Sequence, residues 1–186
     1  MNSSISRRDF LKGSMAVTGL TIAASITPIG ACLLNAAEAG ESPFKPTVWY
    51  DVTPDNLVTI HIPSSEMGQG VRTALSMIVA DELEADWSQI RVKQAPAADV
   101  YKNPVMGAQV TVGSASVRGF YEPLRKAGAA GRAMLVTAAA QTWKVPEEEC
   151  EAAKGAVHHK KSGRSLAYGK LCAKAGALPV PQSPAL

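Results

Sequence analysis

Two apolar runs separated by a polar turn predict a β-hairpin at the start of the folded part of the chain. Residues 47–52 and 57–62 are rich in apolar and β-branched side chains, and a Thr-Pro-Asp-Asn segment separates them. Proline, aspartate and asparagine favour tight turns. In the second run Val58, Ile60 and Ile62 alternate with the other three positions. One face of this strand is therefore fully apolar.

After residue 70 the spacing of the apolar residues changes from the two-residue period of a strand to the period of a helix. Val71, Leu75, Ile78 and Val79 lie on one face of a predicted helix that continues to about residue 84. Residues 90–93 alternate again and predict another short strand. A strand, a helix and a strand in this order form a βαβ-like unit, which indicates a mixed α and β domain.

A second, longer helix is predicted to continue to about Trp143. Ser114 or Ser116 is a candidate N-cap, because a serine side chain can accept a hydrogen bond from the first turn. Gly128 and Gly131 lie inside this helix although glycine lowers helix propensity. Small residues at these positions predict that another backbone packs closely against the helix.

Shorter elements follow towards the C-terminus. Residues 150–153 and 156–159 predict two short strands, and residues 168–175 predict a helix. The elements together predict an α+β, mixed α/β fold with a small mixed sheet and two main helices. Residues 40–178 are assigned to this domain. Three prolines in residues 179–186 predict an extended, linker-like or truncated end.

The first 39 residues resemble a twin-arginine export signal. Arg7 and Arg8 lie in a Ser-Arg-Arg-Asp-Phe-Leu-Lys segment, and a mildly apolar stretch follows over residues 15–34. Small residues around Ala39 predict cleavage after that residue. The route carries folded proteins, often with a cofactor inserted, so it implies a periplasmic redox protein. Lipid attachment at Cys32, which would associate the protein with a membrane, is the alternative.

Composition excludes some classes of partner and site. The formal net charge is only +3 and aromatic residues make up 5% of the chain, which gives no basis for nucleic-acid binding. His158 and His159 would point to opposite faces of a strand, so they cannot share a metal ion. Cys150 and Cys172 could form a disulfide, but folding before export favours reduced thiols. No set of metal ligands is predicted.

Two glycine-containing turns, each before a helix, are the candidate ligand-binding residues. Gly68, Gln69 and Gly70 form the first turn, and residues 113–116 (Gly113, Ser114, Ala115 and Ser116) form the second. Glycine lets a backbone approach a ligand closely, and helix N-termini present N–H groups to anions. Taken singly, the first turn is better explained as a connection without a ligand, and the second is explained at least as well as a helix cap without one.

Several segments taken together resemble one enzyme family. The matching residues lie in segments 66–74, 78–83, 111–116, 121–129, 155–159, 162–164 and 168–171. They resemble the large molybdenum-binding subunit of the xanthine dehydrogenase/aldehyde oxidase superfamily. The most similar branch is the beta subunit of isoquinoline 1-oxidoreductase-type enzymes, in which part of the molybdopterin-binding region directly follows a twin-arginine signal.

The resemblance implies a cofactor, partners and residue roles. Gln69, between Gly68 and Gly70, would approach the oxygens on molybdenum, while the turn of Gly113, Ser114, Ala115 and Ser116 would contact the pyrophosphate or nucleotide end. The implied cofactor is of the molybdopterin cytosine dinucleotide type. The reaction is oxidation of an N-heterocycle or aldehyde with oxygen from water. Electrons would pass to a 2Fe-2S small subunit and to a cytochrome c.

The chain also departs from the family pattern. The large subunit is several times longer, and its substrate-activating glutamate near the far C-terminus has no counterpart here. We therefore expect an N-terminal fragment that needs the missing C-terminal part, with no catalytic residue of its own. A non-catalytic exported binding or assembly module is the alternative, and an unrelated domain with convergent turns is a third hypothesis.

Overall fold

The structure is a computed structural model, and it describes residues 43–186. The predicted signal peptide with Arg7 and Arg8, its cleavage at Ala39 and the alternative lipid site at Cys32 lie outside these residues. Those assignments remain predictions.

The first sheet has three strands in the order β1-β2-β3. Strands β1 (Tyr50–Val52) and β2 (Val58–Ile62) are antiparallel, with Tyr50 opposite Ile60. Strand β3 (Ile90–Gln94) is parallel to β2. Helix α1 (Val71–Leu83) and a short 3₁₀ helix connect β2 to β3. The predicted hairpin and βαβ-like unit are both confirmed, although β1 is shorter than the apolar run.

Helix α2 (Ala115–Trp143) packs against α1. A Cβ built on Gly128 would lie 2.8 Å from Glu82 Cβ and 2.9 Å from the Val79 carbonyl oxygen of α1. A side chain at this position would therefore push the two helices apart. The prediction that Gly128 allows close approach of another backbone is confirmed, and α2 ends at Trp143 as predicted.

A second sheet follows α2, with three antiparallel strands in the order β4-β5-β6. They are β4 (Cys150–Ala153), β5 (Ala156–His159) and β6 (Ser165–Ala167), and helix α3 (Tyr168–Gly176) ends the regular structure. The α+β class is confirmed. The predicted mixed sheet corresponds to the first sheet. The separate antiparallel sheet was not predicted, because the sequence pattern indicated β4 and β5 but not β6.

One hydrophobic core joins both sheets and the helices. Val58, Ile60 and Ile62 are buried on one face of β2, as the alternation predicted. The buried Tyr168 hydroxyl donates to the Leu83 carbonyl at 2.7 Å and so ties α3 to the end of α1. No disulfide joins Cys150 and Cys172 within residues 43–186. The predicted preference for reduced thiols remains a prediction.

The C-terminal residues 179–186 form neither helix nor strand. Arg132 of α2 donates to the Ala185 carbonyl at 2.8 Å, so this segment contacts the body of the domain.

Within the described part of the chain, no helix has the length and hydropathy needed to cross a bilayer. The same residues contain no cluster of three or more potential metal-ligating side chains.

Candidate functional site

The first candidate turn leaves β2 and enters α1 through two glycines in unusual conformations. Gly68 has φ 96° and Gly70 has φ 77°, a left-handed region that residues with a side chain adopt at an energetic cost. A Cβ built on either glycine would meet nothing within 4 Å. The glycines are therefore explained by backbone conformation, and they leave the turn open to an approaching ligand.

Glu66 occupies the N–H groups at the start of α1. Its Oε1 accepts from the Gly68 and Gly70 amides at 2.8 and 3.0 Å, and its Oε2 accepts from the Arg72 amide at 3.1 Å. These donors, that of Arg72 foremost, hold the pKa of the Glu66 carboxyl below its usual range. The expectation that the first N–H groups of this helix face a ligand is therefore wrong for Gly70 and Arg72.

Gln69 is folded over its own turn. Its Oε1 accepts from the Met67 amide at 2.6 Å, and its Nε2 donates to the Ser65 carbonyl at 2.8 Å. The side-chain amide has two N–H donors, so one bond to Ser65 leaves a second donor for a ligand oxygen. The turn thus holds the amide in one orientation without using all of its hydrogen-bonding capacity.

The second candidate turn also has left-handed backbone, at Gly113 (φ 59°) and Ser114 (φ 53°). Ser114 is the N-cap residue of α2, as one of the two alternatives predicted, but its hydroxyl makes no capping hydrogen bond. In the left-handed conformation the side chain does not reach the first turn, so that part of the prediction is wrong. The first N–H groups of a helix have no partner within the helix, and here the Ala115 amide donates to the Val112 carbonyl at 3.1 Å. The amides of Ser116 and Val117 are left for an anion, which the helix dipole also favours.

Ala115 and Ser116 have different surroundings from those of Ser114. Ala115 is 1% exposed, and its carbonyl accepts from Asn103 Nδ2 at 2.9 Å. The Ser116 hydroxyl accepts from the Ser64 hydroxyl at 3.0 Å, which ties α2 to the end of β2. Of the three side chains in this turn, the methyl group of Ala115 is the one that is buried away from the surface.

The two turns face each other across a groove of about 480 Å³, called here the two-turn groove. Gln69 lines it from the first turn, and Gly113, Ser114 and Ser116 line it from the second. The Ser65 amide donates to the Thr111 hydroxyl at 2.8 Å, which directly links the two segments that lead into the turns. The structure therefore brings together turns that lie more than 40 residues apart.

The flanking glycines of the first turn face a neighbouring recess. Gly68 and Gly70 line a space of about 450 Å³ with Glu66 and Arg72, and Ser114 does not border this space. Exposed apolar side chains also lie at the two-turn groove, with Met67 70% and Val112 53% exposed. No periodic pattern distinguished these two side chains as part of a site.

Asn103 is a supporting residue that the sequence reasoning missed. It is fully buried, it donates to the Ala115 carbonyl, and its Oδ1 accepts from the Val105 amide at 2.9 Å. A Cβ on Gly119 would lie 2.4 Å from the Asn103 Oδ1, which explains the glycine on that face of α2. The Asn-Pro pair was an available turn signal.

The residues of the two-turn groove suit an elongated, oxygen-rich ligand. At one end, the uncapped N-terminus of α2 and the serine hydroxyls provide donors for an anionic group. At the other end, Gln69 provides a donor in a defined orientation. The open space over Gly113 allows a ligand to approach the backbone. A pterin that carries a phosphate-containing end fits this distribution of donors.

Comparison with known families bears on this arrangement. Residues 5–184 match the sequence model of the molybdopterin cofactor-binding domain family. The chain belongs to this family. The beta subunit of isoquinoline 1-oxidoreductase from Brevundimonas diminuta is 41% identical over 96% of the chain. The membrane-bound aldehyde dehydrogenase [pyrroloquinoline-quinone] from Gluconacetobacter polyoxogenes is 35% identical over 92%.

The fold is also similar to part of a solved structure. The reconstituted CO dehydrogenase from Oligotropha carboxidovorans superposes with a TM-score of 0.54 and 20% sequence identity over 74% of this chain and 17% of that one. This likeness concerns the fold alone. The chain spans 23% of the length of the isoquinoline 1-oxidoreductase subunit and 22% of the aldehyde dehydrogenase.

Proposed function

We propose that this chain forms one wall of the binding site for a molybdenum cofactor of the molybdopterin cytosine dinucleotide type. The enzyme would oxidise an N-heterocycle or an aldehyde with oxygen from water. The observation that carries the proposal is the two-turn groove, in which Gln69 faces the serine-containing N-terminus of α2. Membership of the molybdopterin cofactor-binding family supports the choice of cofactor.

In this proposal each end of the groove has a separate role. Ser114, Ser116 and the N-terminus of α2 bind the phosphate-containing end through N–H and O–H donors. Gln69 donates its second amide hydrogen to an oxygen at the other end and so orients it. When bound, the cofactor supplies the metal centre at which the substrate is oxidised. The described residues bind and orient, and they carry no general base for the reaction.

Partners and location belong to the same proposal. The remainder of a large subunit would enclose the cofactor, and a 2Fe-2S subunit and a cytochrome c would accept the electrons. The name of the isoquinoline relative, a subunit beta, supports an assembly of several chains. Export through the twin-arginine route with cleavage after Ala39 would place the protein in the periplasm. Intact mass measurement tests this, since cleavage there leaves Gly40 as the first residue.

The test of the cofactor site is a chimeric enzyme. Residues 43–184 replace the matching segment of the Brevundimonas diminuta beta subunit, and the chimera is co-expressed with its partner subunits. Gln69→Ala should lower isoquinoline turnover by about 10-fold or more, because one oriented donor is lost. Gln141→Ala, which alters an exposed glutamine near the end of α2, is the matched control.

Cofactor content distinguishes the possible outcomes of this experiment. Molybdenum, pterin and cytidine monophosphate released by acid hydrolysis should be present in equal amounts in the unmutated chimera. Unchanged turnover and molybdenum content in Gln69→Ala would refute the assignment of Gln69. A chimera that contains pyrroloquinoline quinone and no molybdenum would instead favour the cofactor named for the Gluconacetobacter relative.

A further inference from the structure

The glycine turn of the two-turn groove contains a carboxylate whose hydrogen bonds are all local. Glu66 accepts from three backbone amides within the next six residues, those of Gly68, Gly70 and Arg72. An ionised carboxylate has two oxygens and about four lone-pair sites, so it can accept all three bonds at once. These bonds surround Gln69, because two of the donors belong to its neighbours on either side.

Such a turn is costly to hold in one conformation. Gly68 and Gly70 both adopt left-handed backbone, and glycine loses more conformational freedom on ordering than other residues. Charge-assisted hydrogen bonds to a carboxylate are stronger than those between neutral groups, so they offset part of this loss. The negative charge also lies at the positive end of the α1 dipole, where it is favourable.

The bonds of Glu66 and Gln69 act on the same short loop. Gln69 bonds to Met67 and Ser65, while Glu66 bonds to the amides on either side of Gln69. If the turn relaxed, the backbone that sets the direction of the Gln69 side chain would relax with it. The orientation of the Gln69 amide in the groove therefore depends on the Glu66 carboxylate.

We propose that Glu66 is a positioning residue, whose carboxylate holds the glycine turn in the conformation that presents Gln69 to the two-turn groove. This inference rests on the proposed function for the identity of the ligand, but the conformational part can be tested without any cofactor.

The conformational test is NMR spectroscopy of the complete, ¹⁵N-labelled chain between pH 7 and pH 3. The carboxylate is stabilised in the folded turn, so its hydrogen bonds persist above the ordinary glutamate pKa of about 4.3 and are lost as the pH falls through a lower value. The amide signals of Gly68, Gly70 and Arg72 should shift together with one midpoint below about 4.3. In Glu66→Gln this shared titration should disappear, and the exchange of the three amides with solvent should be faster.

Glu122→Gln is the matched control. Glu122 is an exposed glutamate of α2 whose pKa is also lowered, by Lys126, and it lies outside the two-turn groove. Its substitution should leave the titration of the three amides unchanged. The proposal is overturned if these amides titrate alike with and without the Glu66 carboxylate, or if they do not titrate in the unmutated chain.

The functional test uses the chimeric enzyme and its cofactor content. If Glu66 acts through Gln69, then Glu66→Gln should lower molybdenum content and turnover, and the double variant should be no worse than Gln69→Ala alone. Effects that multiply would refute the positioning role even if the turn titrates as expected. If Gln69→Ala has no effect, the proposed function fails, whereas the NMR result on Glu66 stands or falls separately.

Discussion

The contact between Gly131 of α2 and Tyr50 of β1 allows a sharp prediction about stability. A Cβ built on Gly131 would lie 1.7 Å from the Tyr50 hydroxyl oxygen and 3.0 Å from Cζ of the ring. Tyr50 is 1% exposed, and its hydroxyl donates to the Ala127 carbonyl at 3.1 Å. Gly131→Ala therefore requires the buried ring to move and its hydrogen bond to break, since no contact of 1.7 Å can persist.

Opposing effects determine the size of the change. Replacing a helical glycine with alanine favours the helix by about 1 kcal/mol. Overpacking a core costs about 1–3 kcal/mol, and leaving a buried hydroxyl without a partner costs about 1–3 kcal/mol more. We expect Gly131→Ala to lower the free energy of unfolding by about 1–5 kcal/mol after the propensity gain is subtracted.

A double-mutant cycle identifies the hydroxyl as the cause. Tyr50→Phe alone should cost about 1 kcal/mol, because one net hydrogen bond is lost. In that background, the new methyl group meets the ring carbon at 3.0 Å and Leu83 Cδ1 at 3.4 Å, and a shift of a few tenths of an ångström relieves the closer contact. The second substitution should then be nearly neutral, so that the coupling energy is about 2 kcal/mol.

Urea unfolding followed by circular dichroism measures each of these variants. Gly176→Ala is the matched control, because a Cβ at this position in α3 would meet nothing within 4 Å. It should not lower the free energy of unfolding, and the propensity gain should raise it by up to about 1 kcal/mol. The steric reasoning is refuted if Gly131→Ala is as stable as the unmutated chain, or if its cost is the same with tyrosine and phenylalanine at position 50.

The remaining predictions concern buried and exposed carboxylates. Glu82 is 5% exposed and pairs with Arg125 and, at 3.6 Å, with Arg132. Glu82→Ala should lower the free energy of unfolding, measured with urea, by about 2 kcal/mol. This is less than the cost for a fully buried ion pair, because the arginine side chains are 32% and 26% exposed. A cost below about 0.5 kcal/mol would contradict this reasoning. The hydrogen bond from Lys161, more than that from His159, lowers the pKa of the Glu149 carboxyl. The ionised carboxylate therefore stabilises the fold at neutral pH, and this contribution is lost as the pH falls through the lowered pKa. Glu149→Gln should flatten the dependence of the urea midpoint on pH between about 5 and 3, and parallel curves would count against this.

Most of the regular structure could be predicted from local patterns. The alternation of Val58, Ile60 and Ile62 indicated the buried face of β2, and the interior Gly128 indicated close helix packing. Strand β6 could not be predicted, because its three residues are too few to show a period and two of them are exposed. The pairing of β4, β5 and β6 into a separate sheet depends on contacts between strands, which a pattern along one strand does not specify.

The candidate site was predictable in its glycines and less so in its hydrogen bonds. Turn glycines are visible in a sequence because the backbone conformation itself requires them, as Gly68 and Gly113 show. The partner of an N–H group is not visible in the same way. Glu66 and Ser114 are both polar residues beside a turn, yet only Glu66 accepts from the first turn of its helix. The backbone conformation explains the difference, because the left-handed backbone at Ser114 directs its side chain away from the first turn of α2.

The geometry of the two-turn groove depends on a contact far from it. Helices α1 and α2 both start at the groove and cross near Gly128, where Val79 lies against the glycine. At a rise of about 1.5 Å per residue, the crossing lies about 12 Å from the start of α1 and about 20 Å from the start of α2. A rotation of about 10° at the crossing would therefore move the start of α2 by about 3 Å, roughly the length of a hydrogen bond. Close packing at Gly128 is thus a condition for Gln69 and Ser114 to face each other at the spacing that one ligand can span.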